Sequence, residues 1–128
     1  MAEPRARILI VDDAALVRLY YRRILEGAGY QVEEALNGLE ALERLLKTLP
    51  DVVIVDVNMP QMDGFTFLKT LRQRPLPAGG IPALVASTEA GAGDRLAGRA
   101  AGANVYLVKP ISEPVLKAHV AMLCGIPE

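Results

Sequence analysis

Asp12 and Asp13 directly follow the apolar run Ile8 to Val11, and Asp56 directly follows Val52 to Val55. Ser87 follows Ala83 to Ala86, and Lys109 follows Val105 to Val108. An acid pair, a single acid, a hydroxyl and an ammonium thus each stand at the end of a short, nearly continuous apolar run. If those runs are parallel neighbours in one sheet, their ends share an edge and the side chains converge. Two unit charges ~4 Å apart repel by about 4 kcal/mol at an effective dielectric of 20, so three carboxylates need a proton, an ammonium or a cation among them. A hard divalent ion with oxygen ligands meets that need, and Mg²⁺ typically uses one or two carboxylates and keeps several waters. The full set suits a phosphoryl group: a carboxylate nucleophile, a metal and Lys109 to neutralise charge, and a hydroxyl to bond an oxygen.

Each residue alone has a plainer reading. A single Asp after a strand is most often a turn residue or helix N-cap. Lys109-Pro110 read by itself is a turn, and Ser87 a structural hydroxyl. The coincidence at four strand ends is what favours a metal-assisted phosphate site. His119, far in sequence from the acids, reads as a surface or packing residue. Tyr20 and Tyr21 read as helix packing and rim, Met59 and Met62 as gap fillers, and Arg18, Arg22 and Arg23 as a solvated helix face. Neither a P-loop nor a dinucleotide-binding glycine pattern is present.

The elements that must position these groups alternate. Continuous apolar runs suit parallel strands covered on both faces, and Gln31 to Glu34 is a weaker candidate for an edge strand. Residues 14–27 place Val17, Tyr20, Ile24 and Leu25 at helical spacing. A second helix opens at Asn37-Gly38 with a stripe of Leu39, Leu42, Leu45, Leu46 and Leu49. A third follows Gly64 with Phe67, Leu68 and Leu71. A last one starts near Ser112, with Pro114 tolerated in its first turn and Leu116, Val120 and Leu123 as its stripe. Over 90–101, Gly91, Gly93 and Gly98 each cost about 1 kcal/mol relative to Ala in a helix, so a short or mobile helix is expected. Five strand–helix alternations predict a doubly wound α/β domain, with ligands beyond the carboxyl ends of the strands. Pro75 to Pro82 reads as a surface loop, and residues 1–128 as one domain.

Composition narrows the classes. The 128 residues are 52% hydrophobic and 23% charged, as in a globular chain. Fourteen basic against fifteen acidic residues leave a net charge of −1, which gives no whole-chain attraction to nucleic acid or anionic membrane. With a single cysteine, Cys124, no intrachain disulfide can form. No run is long enough to span a bilayer, and Met1 to Arg7 lacks an apolar signal core, so a soluble cytoplasmic domain is expected.

The segments ILIVDD (8–13), VVIVDVNMPQMDG (52–64), IPALVAS (81–87) and AGANVYLVKP (101–110) resemble the receiver domain of two-component response regulators, nearest in look to single-domain chemotaxis-type receivers. The resemblance covers essentially the whole chain. It implies a flavodoxin-like (βα)5 fold with strand order 2-1-3-4-5. It makes Asp56 the phosphoacceptor, with Asp12, Asp13, Asp56 and the backbone carbonyl of Asn58 holding Mg²⁺. Lys109 contacts the phosphoryl group, Ser87 is the switch hydroxyl, and Tyr106 is the aromatic that turns inward on activation. A cis peptide before Pro110 is also implied. Thr88 stands where a small Ala or Gly is frequent, and Glu89 with Asn58 flanks the approach of hydrolytic water.

The expected function is a switch that accepts a phosphoryl group from a sensor histidine kinase or phosphotransfer protein and alters the surface around its fourth helix, fifth strand and fifth helix. A downstream protein target then reads that surface; no direct nucleic-acid contact and no oligomer are required. Two other outputs stay open: a phosphorelay intermediate, and an excised receiver of a larger DNA-binding or enzymatic regulator. Phosphatases of the haloacid dehalogenase type also use a nucleophilic Asp with Mg²⁺, but need a second Asp two residues on, where this chain has Asn58.

Overall fold

In the computed structural model, which describes residues 5–125, five strands alternate with five helices: β1 (Arg7–Val11), α1 (Ala15–Gly27), β2 (Gln31–Ala35), α2 (Gly38–Lys47), β3 (Val52–Asp56), α3 (Gly64–Arg72), β4 (Ala83–Ser87), α4 (Ala92–Ala101), β5 (Val105–Val108) and α5 (Glu113–Cys124). The expectation that Met1 to Arg7 lacks a signal core falls partly outside the described residues. All strand pairs are parallel, in the order β2-β1-β3-β4-β5. The weak candidate β2 is therefore an edge strand. The order reverses between β1 and β3, so the crevice where ligands bind in such sheets lies beyond the ends that carry Asp12, Asp13 and Asp56.

Continuous apolar strands bury both faces at once. Ile8, Ile10, Val52, Ile54, Leu84 and Ala86 face one core with Tyr21, Ile24, Leu25, Leu116 and Val120 of α1 and α5. Leu9, Val11, Val53, Val55, Ala83 and Val85 face the other with Ala41, Leu45, Phe67, Leu68, Leu71 and Ala101 of α2, α3 and α4. Among the described residues, no helix is long and apolar enough to cross a membrane.

Helices α1, α2 and α4 differ in detail from the sequence reading. In α2 the buried residues are Gly38, Ala41 and Leu45, while Leu39, Leu46 and Leu49 are exposed, Leu46 by 75%. Four leucines over-fill the ten-residue helix and Leu49 lies beyond its end, so only one edge of the stripe reaches the core. In α1 it is Tyr21, not Tyr20, that is buried. α4 runs unbroken for ten residues. Gly91 is its N-cap and carries no helix-interior cost, and Gly98 is buried by packing. Ser112 occupies the N-cap of α5 as expected, but its side chain makes no capping bond.

Two charged networks fasten the frame. Arg18 Nε and Arg22 Nε of α1 donate to Glu34 of β2 at 2.8 and 2.6 Å, and Arg7 of β1 reaches Glu33 at 3.4 Å. Hence Arg18 and Arg22 are engaged within the molecule, and only Arg23 of that trio fits a freely solvated face. At the other end of the sheet, Arg72 of α3 donates to the carbonyls of Gly79, Ile81 and Gly102 and to Asn104 Oδ1. Asn104 Oδ1 also accepts from the Ala83 N–H at 2.8 Å. This node ties the end of α3 to the loop before β4 and the turn before β5.

Candidate functional site

Four strand ends deliver the groups that the sequence places there. Asp12, Asp13 and Asp56 bring carboxylate oxygens within 4.8 Å of one another. Lys109 Nζ donates to Asp12 Oδ2 at 2.9 Å and to Asp56 Oδ1 at 3.0 Å. Asp12 is 1% exposed and Asp56 9%, whereas Asp13 stands in solvent. Asp12 Oδ1 accepts from the Ala14 N–H at 2.9 Å, which fixes the carboxylate as the chain turns into α1. Asp56 Oδ2 makes no hydrogen bond among the described residues, so one oxygen of the central acid is free to react.

Charge at this edge is unbalanced. Burial raises the Asp56 pKa and the Asp12 carboxylate adds to the rise, against the Lys109 hydrogen bond that favours ionisation. Burial pushes the Lys109 ammonium the other way, yet its hydrogen bonds to Asp12 and Asp56 win and hold it above the ordinary lysine value. One firmly held positive charge against three acids leaves room for a cation. All available side-chain donors are carboxylate oxygens, the ligands that a hard ion such as Mg²⁺ prefers. The cluster therefore fits the ion.

The scaffold around Asp56 depends on a close approach. Asp63 caps α3 by accepting from the Thr66 N–H at 2.9 Å, and Gly64 follows it. A Cβ on Gly64 would lie 2.2 Å from the Asp56 carbonyl oxygen, backbone that cannot move aside. Gly64→Ala is expected to destabilise the fold by about 2–3 kcal/mol, the upper range for overpacking, read by urea unfolding; a change below about 0.5 kcal/mol would contradict it.

Ser87 is buried, and its Oγ accepts from the Glu89 N–H at 3.0 Å. The Glu89 carbonyl in turn accepts from the Tyr106 hydroxyl at 2.8 Å. A single peptide segment thus connects the Ser87 hydroxyl to the Tyr106 ring. Asn58 lies exposed on the loop beyond Asp56. The peptide between Lys109 and Pro110 is cis, as expected, and so is that between Leu76 and Pro77. Thr88 lines an open apolar groove of about 400 Å³ with Leu16, Tyr20, Lys109 and Ile111. His119 Nδ1 lies 2.8 Å from the Val115 carbonyl of its own helix.

Sequence reasoning missed one residue near the site. Arg18 donates from Nη1 to the Asp12 carbonyl at 2.7 Å as well as to Glu34, so α1 is fastened to the backbone that presents the acid pair. Two glutamates in a β2 candidate opposite two arginines four residues apart were the available signal.

With the geometry established, comparison with known proteins gives a consistent result. The response regulator receiver domain profile matches residues 8–121. The transcriptional regulatory protein PrrA of Mycobacterium leprae is 38% identical over 117 residues, covering 91% of this chain and 49% of that protein. The receiver domain of a signal transduction histidine kinase from Syntrophus aciditrophicus superposes with a TM-score of 0.87 at 35% identity, over 94% of this chain and 90% of that one. The chemotaxis protein CheY4 of Vibrio cholerae does so with a TM-score of 0.85 at 36% identity, over 95% and 99%. The chain spans half or less of the length of the curated relatives it matches.

Proposed function

The chain belongs to the response regulator receiver domain family, and on that premise we propose that residues 1–128 act as one phosphorylation-controlled switch with Asp56 as the acceptor. The observation that carries the reading is Lys109 bridging Asp12 and Asp56 beside a third carboxylate. The donor is a phosphohistidine on a sensor kinase or phosphotransfer protein. Leu16 and Leu19, exposed by 81% and 40%, lie with Tyr20 on the α1 face beside the groove that ends at Lys109, which offers such a partner an apolar seat next to the acceptor.

Asp56 Oδ2 attacks phosphorus in line as the phosphorus–nitrogen bond to the donor breaks, and Lys109 turns from the carboxylates toward the developing negative charge. Asp12, Asp13, Asp56 and the Asn58 carbonyl would hold Mg²⁺, which would supply positive charge to the phosphoryl oxygens. Ser87 then turns its O–H to donate to a phosphoryl oxygen, which draws its Oγ from the Glu89 N–H and vacates space into which the Tyr106 ring swings inward. The surface of α4, β5 and α5 changes, and a protein target that binds one state better reads it. The chain's own chemistry is limited to accepting and hydrolysing the phosphoryl group. Relatives such as the kinase receiver above favour, as a second reading, a relay step or a place within a larger regulator.

Incubation with acetyl phosphate and Mg²⁺ should add one phosphoryl mass, mapped to Asp56 and lost when Mg²⁺ is chelated; no adduct, or one elsewhere, sinks the proposal. Lys109→Ala should slow that labelling on the order of 10²-fold, as loss of one positioned donor to developing charge does. An unchanged labelling rate in this variant would remove Lys109 from the mechanism.

A further inference from the structure

Gly98 is buried in α4 directly under the Tyr106 ring. A Cβ at position 98 would lie 2.8 Å from Tyr106 Cδ2, 3.3 Å from Cε2 and 3.6 Å from Phe65 Cε1. Carbon atoms pack best about 3.5–4.0 Å apart, so the first contact is a clash. Cδ2 lies near the root of the side chain, and a slight tip of the ring cannot clear it. The ring is also anchored elsewhere: its hydroxyl donates to the Glu89 carbonyl at 2.8 Å, and the Arg95 guanidinium lies 5.5 Å from its centroid. Gly93, in the same helix, is exposed and meets nothing within 4 Å. Both glycines weaken the helix alike, but only Gly98 has a neighbour that needs the missing methyl.

We infer that Gly98 is a positioning residue that seats Tyr106 against α4 and thereby sets the hydrogen bond to Glu89. An alanine there fills the seat and turns the ring outward, breaking the link from Tyr106 through Glu89 to Ser87. The α4–β5 face is then presented in its ring-out form whatever the state of Asp56. The link to signalling rests on the receiver reading, whereas the seat itself is a property of the unphosphorylated protein.

The test is ¹⁹F NMR of the 128-residue chain labelled with 3-fluorotyrosine, which has four tyrosines; the Tyr106 signal is identified by its loss in Tyr106→Phe. Gly93→Ala should leave that signal in place and raise the melting temperature. Gly98→Ala should move it toward the position of free fluorotyrosine and abolish its response to beryllofluoride with Mg²⁺. A folded Gly98→Ala protein with the Tyr106 signal unmoved overturns the inference, as does an equal displacement in Gly93→Ala. If Gly98→Ala does not fold, Gly98→Ala with Tyr106→Leu decides: recovery of folding supports the seat, and equal loss overturns it. Failure of Asp56 to take up phosphoryl mass would sink the receiver reading while leaving the ring displacement to be judged separately.

Discussion

Asp56→Asn is expected to abolish phosphoryl incorporation from acetyl phosphate and Mg²⁺ and, in the same protein, to raise thermal stability. The first effect follows from the loss of the only buried carboxylate with a free oxygen at the sheet edge among the described residues. The second follows from electrostatics. Burial and then the Asp12 charge raise the Asp56 pKa in the folded state above its ordinary value, despite Lys109. A carboxyl whose folded pKa is raised favours folding only while protonated; that contribution is complete below the unfolded pKa and is lost as pH rises through the folded one. At neutral pH the ionised Asp56 is therefore a cost that asparagine removes, and Lys109 keeps Asp12 as a partner. The gain is read as a higher melting temperature of the asparagine variant at pH 7. The two melting temperatures should converge in acid and separate as the pH rises. A variant less stable than wild type at pH 7 would show that the Lys109 bond outweighs burial.

Arg72→Ala is expected to be the most destabilising single substitution outside the core, about 2–4 kcal/mol by urea unfolding. Its guanidinium serves three carbonyls and the Asn104 side chain, and hydrogen bonds from charged donors are worth about 1.5–3 kcal/mol each before water replaces some of them. No carboxylate pairs with it among the described residues, and burial lowers its pKa, so its role is connection rather than ion pairing. Arg72→Lys should recover less than half of the loss, because a single ammonium cannot reach carbonyls of both loops at once. A loss below about 1 kcal/mol for the alanine variant would mean that solvent replaces the network.

The sheet and the site were largely legible because one pattern encodes both. Runs such as Val52 to Val55 are apolar throughout because both faces are covered, and the first polar residue after each run is by construction at the carboxyl edge. What stayed illegible depends on neighbours that a linear pattern does not name. The leucines of α2 are too many for its length, and nothing local says that Ala41 rather than Leu46 turns inward. The glycines of α4 look alike in sequence, yet Gly91 is a cap, Gly93 is open and Gly98 is a contact. Arg72 resembles any basic residue near a helix end, since its acceptors lie 7 to 32 residues away.

β2 closes one side of the sheet with Glu33 and Glu34, each tied to an arginine of β1 or α1. A charged outer strand is a poor template for pairing with a stranger, since every added chain must accommodate those ionised groups. The molecule is thereby protected against sheet-to-sheet aggregation on that flank. The protection is ionic, so added salt, which screens those charges, weakens it.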